Sequence, residues 1–256
     1  MREAQDAGGF RPFPPYMDDA LRIPFEIHPQ LDDTTCGPVC LHALYRHYGD
    51  DVSLEQLLRE VAALELGGTL GALLARHALE RGYGVTLVTW NLRVFDPTWF
   101  GPHERSLAES LRASAAVATD PMRRFAATAY AEFLERGGTI EYRDLEPAWI
   151  VAVLRSGRPI LTALSATFLY GTKREIPETN VSDDLAGSPV GHFVVLTGYL
   201  PATAEVLVSD PLHPNPLSET HTYPVPVQRL IGAIYLGVLT YDANLLVFEP
   251  PASNGA

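Results

Sequence analysis

Residues 30–49 read Gln-Leu-Asp-Asp-Thr-Thr-Cys-Gly-Pro-Val-Cys-Leu-His-Ala-Leu-Tyr-Arg-His-Tyr-Gly, a polar loop that runs straight into an apolar-periodic helix with Cys36 at the junction. Pro38 falls in the first turn, where a missing backbone N–H removes nothing, because that donor has no intrahelical partner. Gly37 lets the chain turn tightly beside the cysteine. Cys40, Leu41, Ala43, Leu44, Tyr45 and Tyr48 then form one broad apolar face, and Gly49 supplies a stop. The positive end of a helix dipole favours the thiolate of a cysteine placed there, so Cys36 is a candidate nucleophile. Cys40 lies one turn further on and reads as a small core residue. Two cysteines four residues apart on one helix are poorly placed for a structural disulfide.

Two later stretches carry the partners a thiol nucleophile needs. Gly191-His-Phe-Val-Val-Leu-Thr-Gly-Tyr199 reads as a buried strand that begins with a histidine. Glu205-Val-Leu-Val-Ser-Asp-Pro211 reads as the next strand, closing on an aspartate with a proline stop. Cys36, His192 and Asp210 each stand at the end of an element. That is the placement required of a nucleophile, its base and the group that orients the base.

Thr35-Cys36-Gly37-Pro38-Val39-Cys40 preceded by Gln30, with Gly191-His192-Phe193-Val194-Val195 and Ser209-Asp210-Pro211, resembles the papain-like cysteine peptidases. The resemblance is to the branch typified by the leader-cleaving (peptidase C39-like) domains of bacteriocin exporters and their stand-alone bacterial relatives. It covers residues 28–60 and 190–212 and is weak elsewhere. It implies Cys36 as nucleophile, His192 as general base and then acid, Asp210 as the group holding the imidazole, and Gln30 as an oxyanion-hole donor beside the Cys36 N–H. It also implies an α+β, papain-like fold, with the nucleophile helix packed against a mainly antiparallel sheet. Helices first and a largely antiparallel sheet late in the chain agree with this class.

Whole-chain properties exclude other classes. The 256 residues are 46% hydrophobic and 20% charged, ordinary for a folded domain with a substantial core. A formal net charge of -12 with no basic stripe argues against nucleic acid as a partner and is compatible with a basic peptide. The first residues lack the apolar core of a secretory signal, and no run approaches the roughly 18 apolar residues of a membrane span. A cytoplasmic location, where thiols stay reduced, follows as the expectation. No cofactor is called for. His213 and His221 lie near Asp210, but no zinc-ligand spacing is present, so no metal is expected.

Residues 1–27, rich in proline and aromatics, read as an N-terminal arm, with an edge strand possible from Leu21 to Ile27. Residues 28–250 read as one catalytic domain and 251–256 as a flexible tail. His28 reads as structural or solvent-facing, and Asp32 and Asp33 as loop braces or a solvated turn. Ser53-Leu-Glu-Gln56 is a capping box opening a second helix through Leu64, stopped by Gly67-Gly68. Thr69 then caps a third helix to about Leu79, in which His77 reads as a surface or satisfied core residue. Val85 to Trp90 reads as a strand. Residues 91–157 form a mostly helical insert, with capping signals at Ser106-Leu-Ala-Glu109 and Asp120-Pro121 and a last helix from Pro147 to Arg155. The insert is either a lid or substrate-recognition element, or ordinary helix packing on one side of the sheet. Pro159 to Ser165 resumes the sheet, and 166–189 reads as a long loop, which makes it the first candidate for specificity. The five prolines from Pro211 to Pro226 exclude helix and central strand. Val227 to Leu236 reads as a helix and Leu245 to Phe248 as a strand.

The expected chemistry is peptide-bond cleavage through a thioester on Cys36. With another acceptor in place of water, the same site serves an acyltransferase, or a hydrolase of non-peptide amides or isopeptides. The alternative of another class is a domain that binds a peptide or protein without catalysis. Substrate and oligomeric state are open at this level.

Overall fold

The apolar spacing of residues 36–47 folds as the first helix, α1 (Cys36–His47), with Val39, Cys40, Leu41, Leu44 and Tyr45 buried and the chain turned away at Gly49, whose φ is +78°. The computed structural model describes residues 19–61, 64, 68–177 and 179–251. The expected arm before residue 19 and tail after 251 lie outside them. Leu21–Arg22 is a short strand, β1.

Two helices follow α1. Ser53 caps α2 (Leu54–Glu60) by accepting from the Gln56 N–H at 3.1 Å. The Gln56 side chain reaches Glu60 instead of returning to the cap, so only half of the expected box forms. The helix stops at Glu60, short of Leu64, because Val61 takes an extended conformation and turns into the core. The third helix, α3 (Gly71–Glu80), is capped from far away: Asp242 accepts the Gly71 N–H at 2.8 Å, and Leu70, not Thr69, holds the cap position. A local sequence reading cannot see a cap supplied 171 residues away.

The sheet begins with β2 (Gly84–Thr89) and continues through the expected insert, which contains α4 (Leu107–Val117), α5 (Pro121–Glu135), β3 (Thr139–Glu141) and α6 (Pro147–Arg155). The capping signals act as read: Ser106 and Glu109 form a full box, and Asp120 accepts the Met122 N–H at 2.9 Å. Next come β4 (Ile160–Ser165) and then residues 166–189, which are not a structureless loop. They hold a one-turn helix, α7 (Ala166–Tyr170), and a small hairpin of β5 (Glu175–Ile176) and β6 (Val181–Ser182). Elements this short show no periodicity, which is why none was legible. The chain closes with β7 (Gly191–Leu200), β8 (Glu205–Ser209), β9 (Thr222–Pro226), α8 (Val227–Leu236) and β10 (Asn244–Glu249).

Among the described residues the main sheet runs β3-β2-β10-β4-β7-β8-β9, with β1 paired to β7 beyond β4. Only β2–β3 is parallel, so the molecule is α+β with a mainly antiparallel sheet. Pro224 and Pro226 sit in β9 at the outer edge, where missing donors are tolerated. One face of the sheet carries α1 to α5 and the other α6 and α8. Period-two alternation divides β7 between them: Phe193 and Val195 join the α1 core, Val194 and Leu196 the opposite one. No described helix is long and apolar enough to cross a membrane.

The start of α1 lies tightly on β7. A Cβ at Gly37 would stand 2.7 Å from Thr69 Cγ2 and 3.2 Å from both the Phe193 ring and Leu74. Thr69 is stiff at χ1, and the aromatic ring is packed in the core. Gly37→Ala is therefore expected to destabilise the fold by about 1–3 kcal/mol, measured as a lower urea midpoint at unchanged slope. An unchanged midpoint shows that the contact relaxes freely.

Candidate active site

Cys36 is the first residue of α1 and is 8% exposed. Thr35 occupies the cap position but does not cap: its hydroxyl turns back and accepts from the Leu31 and Asp32 N–H groups at 3.0 and 3.2 Å. Asp32 braces the same loop, accepting from the Thr34 N–H and hydroxyl at 2.8 Å each. The loop is thus rigid while the helix start is left without a side-chain cap.

His192, 7% exposed, is the second residue of β7, and Asp210, fully buried, immediately follows β8. The antiparallel register brings both to one end of the sheet. His192 Nε2 bonds Asp210 Oδ1 at 2.8 Å, which leaves Nδ1 as the ring's free edge, and the Cys36 thiol is its other hydrogen-bond neighbour. Burial alone would depress the imidazolium. The Asp210 charge and hydrogen bond, then Cys36, overcome burial and push His192 up to about 10. Burial likewise works against the Asp210 carboxylate, but His192 and the hydroxyls of Tyr223 and Tyr170 outweigh it and hold the group below the ordinary range.

Gln30 is anchored beside this pair, its backbone N–H donating to the Pro211 carbonyl at 2.8 Å. Its side-chain amide donates to the Asp32 carbonyl at 2.9 Å, and its Oε1 is buried without a hydrogen-bond partner. The structure thus brings Cys36, His192 and Asp210 into one chain of contacts, with Gln30 on the adjoining loop.

A cleft of about 360 Å³ opens at Cys36 and His192, walled among others by Asp33, Asn180, Phe193, Thr240 and Asp242. Asp33 accepts from Asn180 Nδ2 at 3.1 Å, joining the cysteine loop to the β5–β6 hairpin. No residue of 91–157 is among those lining the cleft. That block packs as helices on both sheet faces rather than one and adds one strand, as ordinary packing requires. His28 lies away from the cleft, against Arg46 at 2.5 Å. Both nitrogens of His77 are engaged, by Tyr45 at 2.8 Å and Glu60 at 2.9 Å. Cys40 is buried and donates to the Phe193 carbonyl at 3.3 Å, and burial pushes its thiol well above the ordinary value. His221 Nδ1 bonds the Asp210 carbonyl oxygen at 2.7 Å and His213 stacks on it. Among the described residues no group of His, Cys, Asp and Glu is arranged to hold a metal.

Sequence reasoning did not find Tyr170, Tyr223 or Asp242. Tyr223 stands opposite Val208 in the β8–β9 register, two positions from Asp210, but its hydroxyl direction is a tertiary property. Asp242 borders the cleft while capping α3, and burial pushes its carboxyl up to about 7.

Comparison with known proteins gives a family. The model of the peptidase C39-like family matches residues 22–235. No curated protein matches the chain. Among solved structures it is similar to a C39-like peptidase from Bacillus anthracis, with TM-score 0.45, 14% identity, and 92% of this chain and 100% of that one covered. It is also similar to xylellain, a cysteine protease from Xylella fastidiosa, with TM-score 0.42, 13% identity and coverage of 98% and 95%. A third is a double glycine motif protease from an AMS/PCAT transporter in complex with its leader peptide, with TM-score 0.41, 13% identity and coverage of 90% and 97%.

The His192–Asp210 pair makes stability depend on pH. His192 rises from 6.5 to about 10 on folding, so its contribution is complete below about pH 6.5 and is lost as pH climbs towards 10. Asp210 falls below 3.8, so its contribution is present above that value and is lost as pH drops through the folded one. The stability difference between the wild type and His192→Gln, from urea unfolding, is expected to narrow steadily from about pH 6 to about pH 10. A difference flat over that range means that the folded imidazole is not held charged.

Proposed function

The chain belongs to the peptidase C39-like family and is a hydrolase of the cysteine-peptidase type, and from that premise we propose that it cleaves a peptide amide bond through a thioester formed on Cys36. The observation that carries this reading is the 2.8 Å bond between His192 Nε2 and Asp210, with Cys36 as the ring's other neighbour at the mouth of the cleft.

The proton of the Cys36–His192 pair resides on the imidazole, and the thiolate attacks the substrate carbonyl carbon. The Cys36 N–H, at the start of a helix without a side-chain cap, and the Gln30 amide stabilise the oxyanion that develops. The imidazolium passes its proton to the leaving amine, the C–N bond breaks and the thioester remains. Water, deprotonated by His192, attacks the thioester; the carboxylic acid leaves and the thiolate–imidazolium pair is restored. Asp210 holds the ring edge-on throughout. The Gln30 Nε2 gives one N–H to the Asp32 carbonyl and carries a second, which is the donor this role requires.

We assign residues 28–250 to the catalytic domain and the substrate to the peptide class. Pro177 and Asn180 line the cleft, which supports the 166–189 segment as a specificity element. The cytoplasm, which keeps a thiol nucleophile reduced, is the location this chemistry suits.

Alkylation by iodoacetamide, followed by intact mass and peptide mapping, tests the pair directly. Cys36 is expected to react rapidly below about pH 7 and to lose that reactivity in His192→Ala, while Cys40 stays inert. If Cys36 reacts only as an ordinary thiol near pH 8.5, the reading fails. On a cleaved peptide, Cys36→Ala is expected to abolish turnover. Gln30→Ala should lower kcat by on the order of 10²–10³ with little change in KM. A loss under about tenfold removes Gln30 from the oxyanion hole.

A further inference from the structure

The carboxylate of Asp210 is met on both oxygens. Oδ1 takes His192 Nε2 at 2.8 Å and the Leu212 N–H at 2.9 Å. Oδ2 takes two phenols, Tyr170 at 2.7 Å and Tyr223 at 2.6 Å. The phenols come from separate elements, the one-turn helix α7 and the edge strand β9, and converge on a single oxygen with no exposed surface. One hydrogen bond would satisfy either hydroxyl. Two on the same oxygen fill its remaining acceptor sites and leave the carboxylate no rotation away from His192.

On the reading that Asp210 orients a catalytic His192, we infer that Tyr170 and Tyr223 are positioning residues that act through Asp210, fixing its carboxylate and setting how strongly it retains the His192 proton. Each phenol draws the carboxylate's negative charge onto Oδ2 and away from Oδ1, the oxygen that meets the imidazolium. A bare buried carboxylate would hold the proton harder, and the proton must leave for the amine at every turnover. Burial, then the Asp210 charge, pushes both phenols above their ordinary range, so they remain donors at any working pH.

The groups facing this cluster come from every neighbouring element. Cys36 and Cys40 approach from α1, with Cys36 hydrogen-bonded to His192 and Cys40 within the fields of both Cys36 and Asp210. His221, stacked on His213, bonds the Asp210 carbonyl at 2.7 Å from the segment before β9. The Tyr170 ring lies 6.1 Å from the His192 ring. None of these supplies a donor to Oδ2, so the two phenols are its hydrogen-bond partners among the described residues.

The test follows the His192 ring by NMR in histidine-labelled protein between about pH 5 and about pH 11, with His192→Gln for assignment. Tyr170→Phe and Tyr223→Phe keep the ring and remove the donor. Each is expected to move the His192 midpoint upward by on the order of one pH unit, with the double variant moving it further. Tyr170 is half-buried on α7, so Tyr170→Phe gives the reading should Tyr223→Phe fail to fold. A raised wild-type midpoint that a folded variant leaves in place overturns this inference alone, because packing without charge control moves no titration. A wild-type midpoint near about 6.5 overturns the proposed catalytic pair and this inference with it.

Discussion

A carboxylate with no exposed surface must be met by donors or lose its charge, and Asp210 imposes that condition on the elements around it. Its four donors arrive from β7, α7, β9 and the chain just after β8. Each of these elements is therefore held to a position by one buried charge, and a shift of about an ångström in any of them stretches a hydrogen bond to it out of range. Even the loop carrying Gln30 is bound to this point, through the Pro211 carbonyl.

The strand that carries His192 sets the second constraint. Along β7 the side chains alternate between two cores, and His192 shares its parity with Val194 and Leu196, on the face away from α1. A residue of that parity in the middle of the strand would have the sheet between it and Cys36. Placed second from the end of the strand, His192 meets both Asp210 and Cys36. The contacts that hold α1 against this strand, Cys40 to the Phe193 carbonyl and Gly37 against the Phe193 ring, lie next to it.

Much of this was legible where the signal was local. The Cys36 helix, the Ser106–Glu109 box, the Asp120-Pro121 start and the β7–β8 hairpin each need only a few neighbouring residues to be recognised, and each formed where read. That Cys36, His192 and Asp210 meet in space was legible because each stands at an element end, and element ends are visible in patterning. What failed lay in long-range partners. Thr69 looked like a cap, but the cap is Asp242; 166–189 looked like a loop, because a five-residue helix and two-residue strands have no period to detect. The phenols on Asp210 depend on side-chain direction across 40 and 13 residues of chain, which no window contains.

The place of β10 in the sheet has a consequence for how the molecule comes into being. Residues 244–249 lie between β2 and β4, so the sheet remains in two pieces until they have been synthesised. The same segment brings Asp242, which caps α3 and borders the cleft. Pairings this distant along the chain close slowly, because the loop entropy must be met before the contacts form. On the ribosome, the helices and hairpins made first wait for their central strand, exposing apolar faces that β10 later covers. The cleft beside Cys36 is thus among the last features to be completed, and the nascent chain carries its thiol before it carries a finished wall around it.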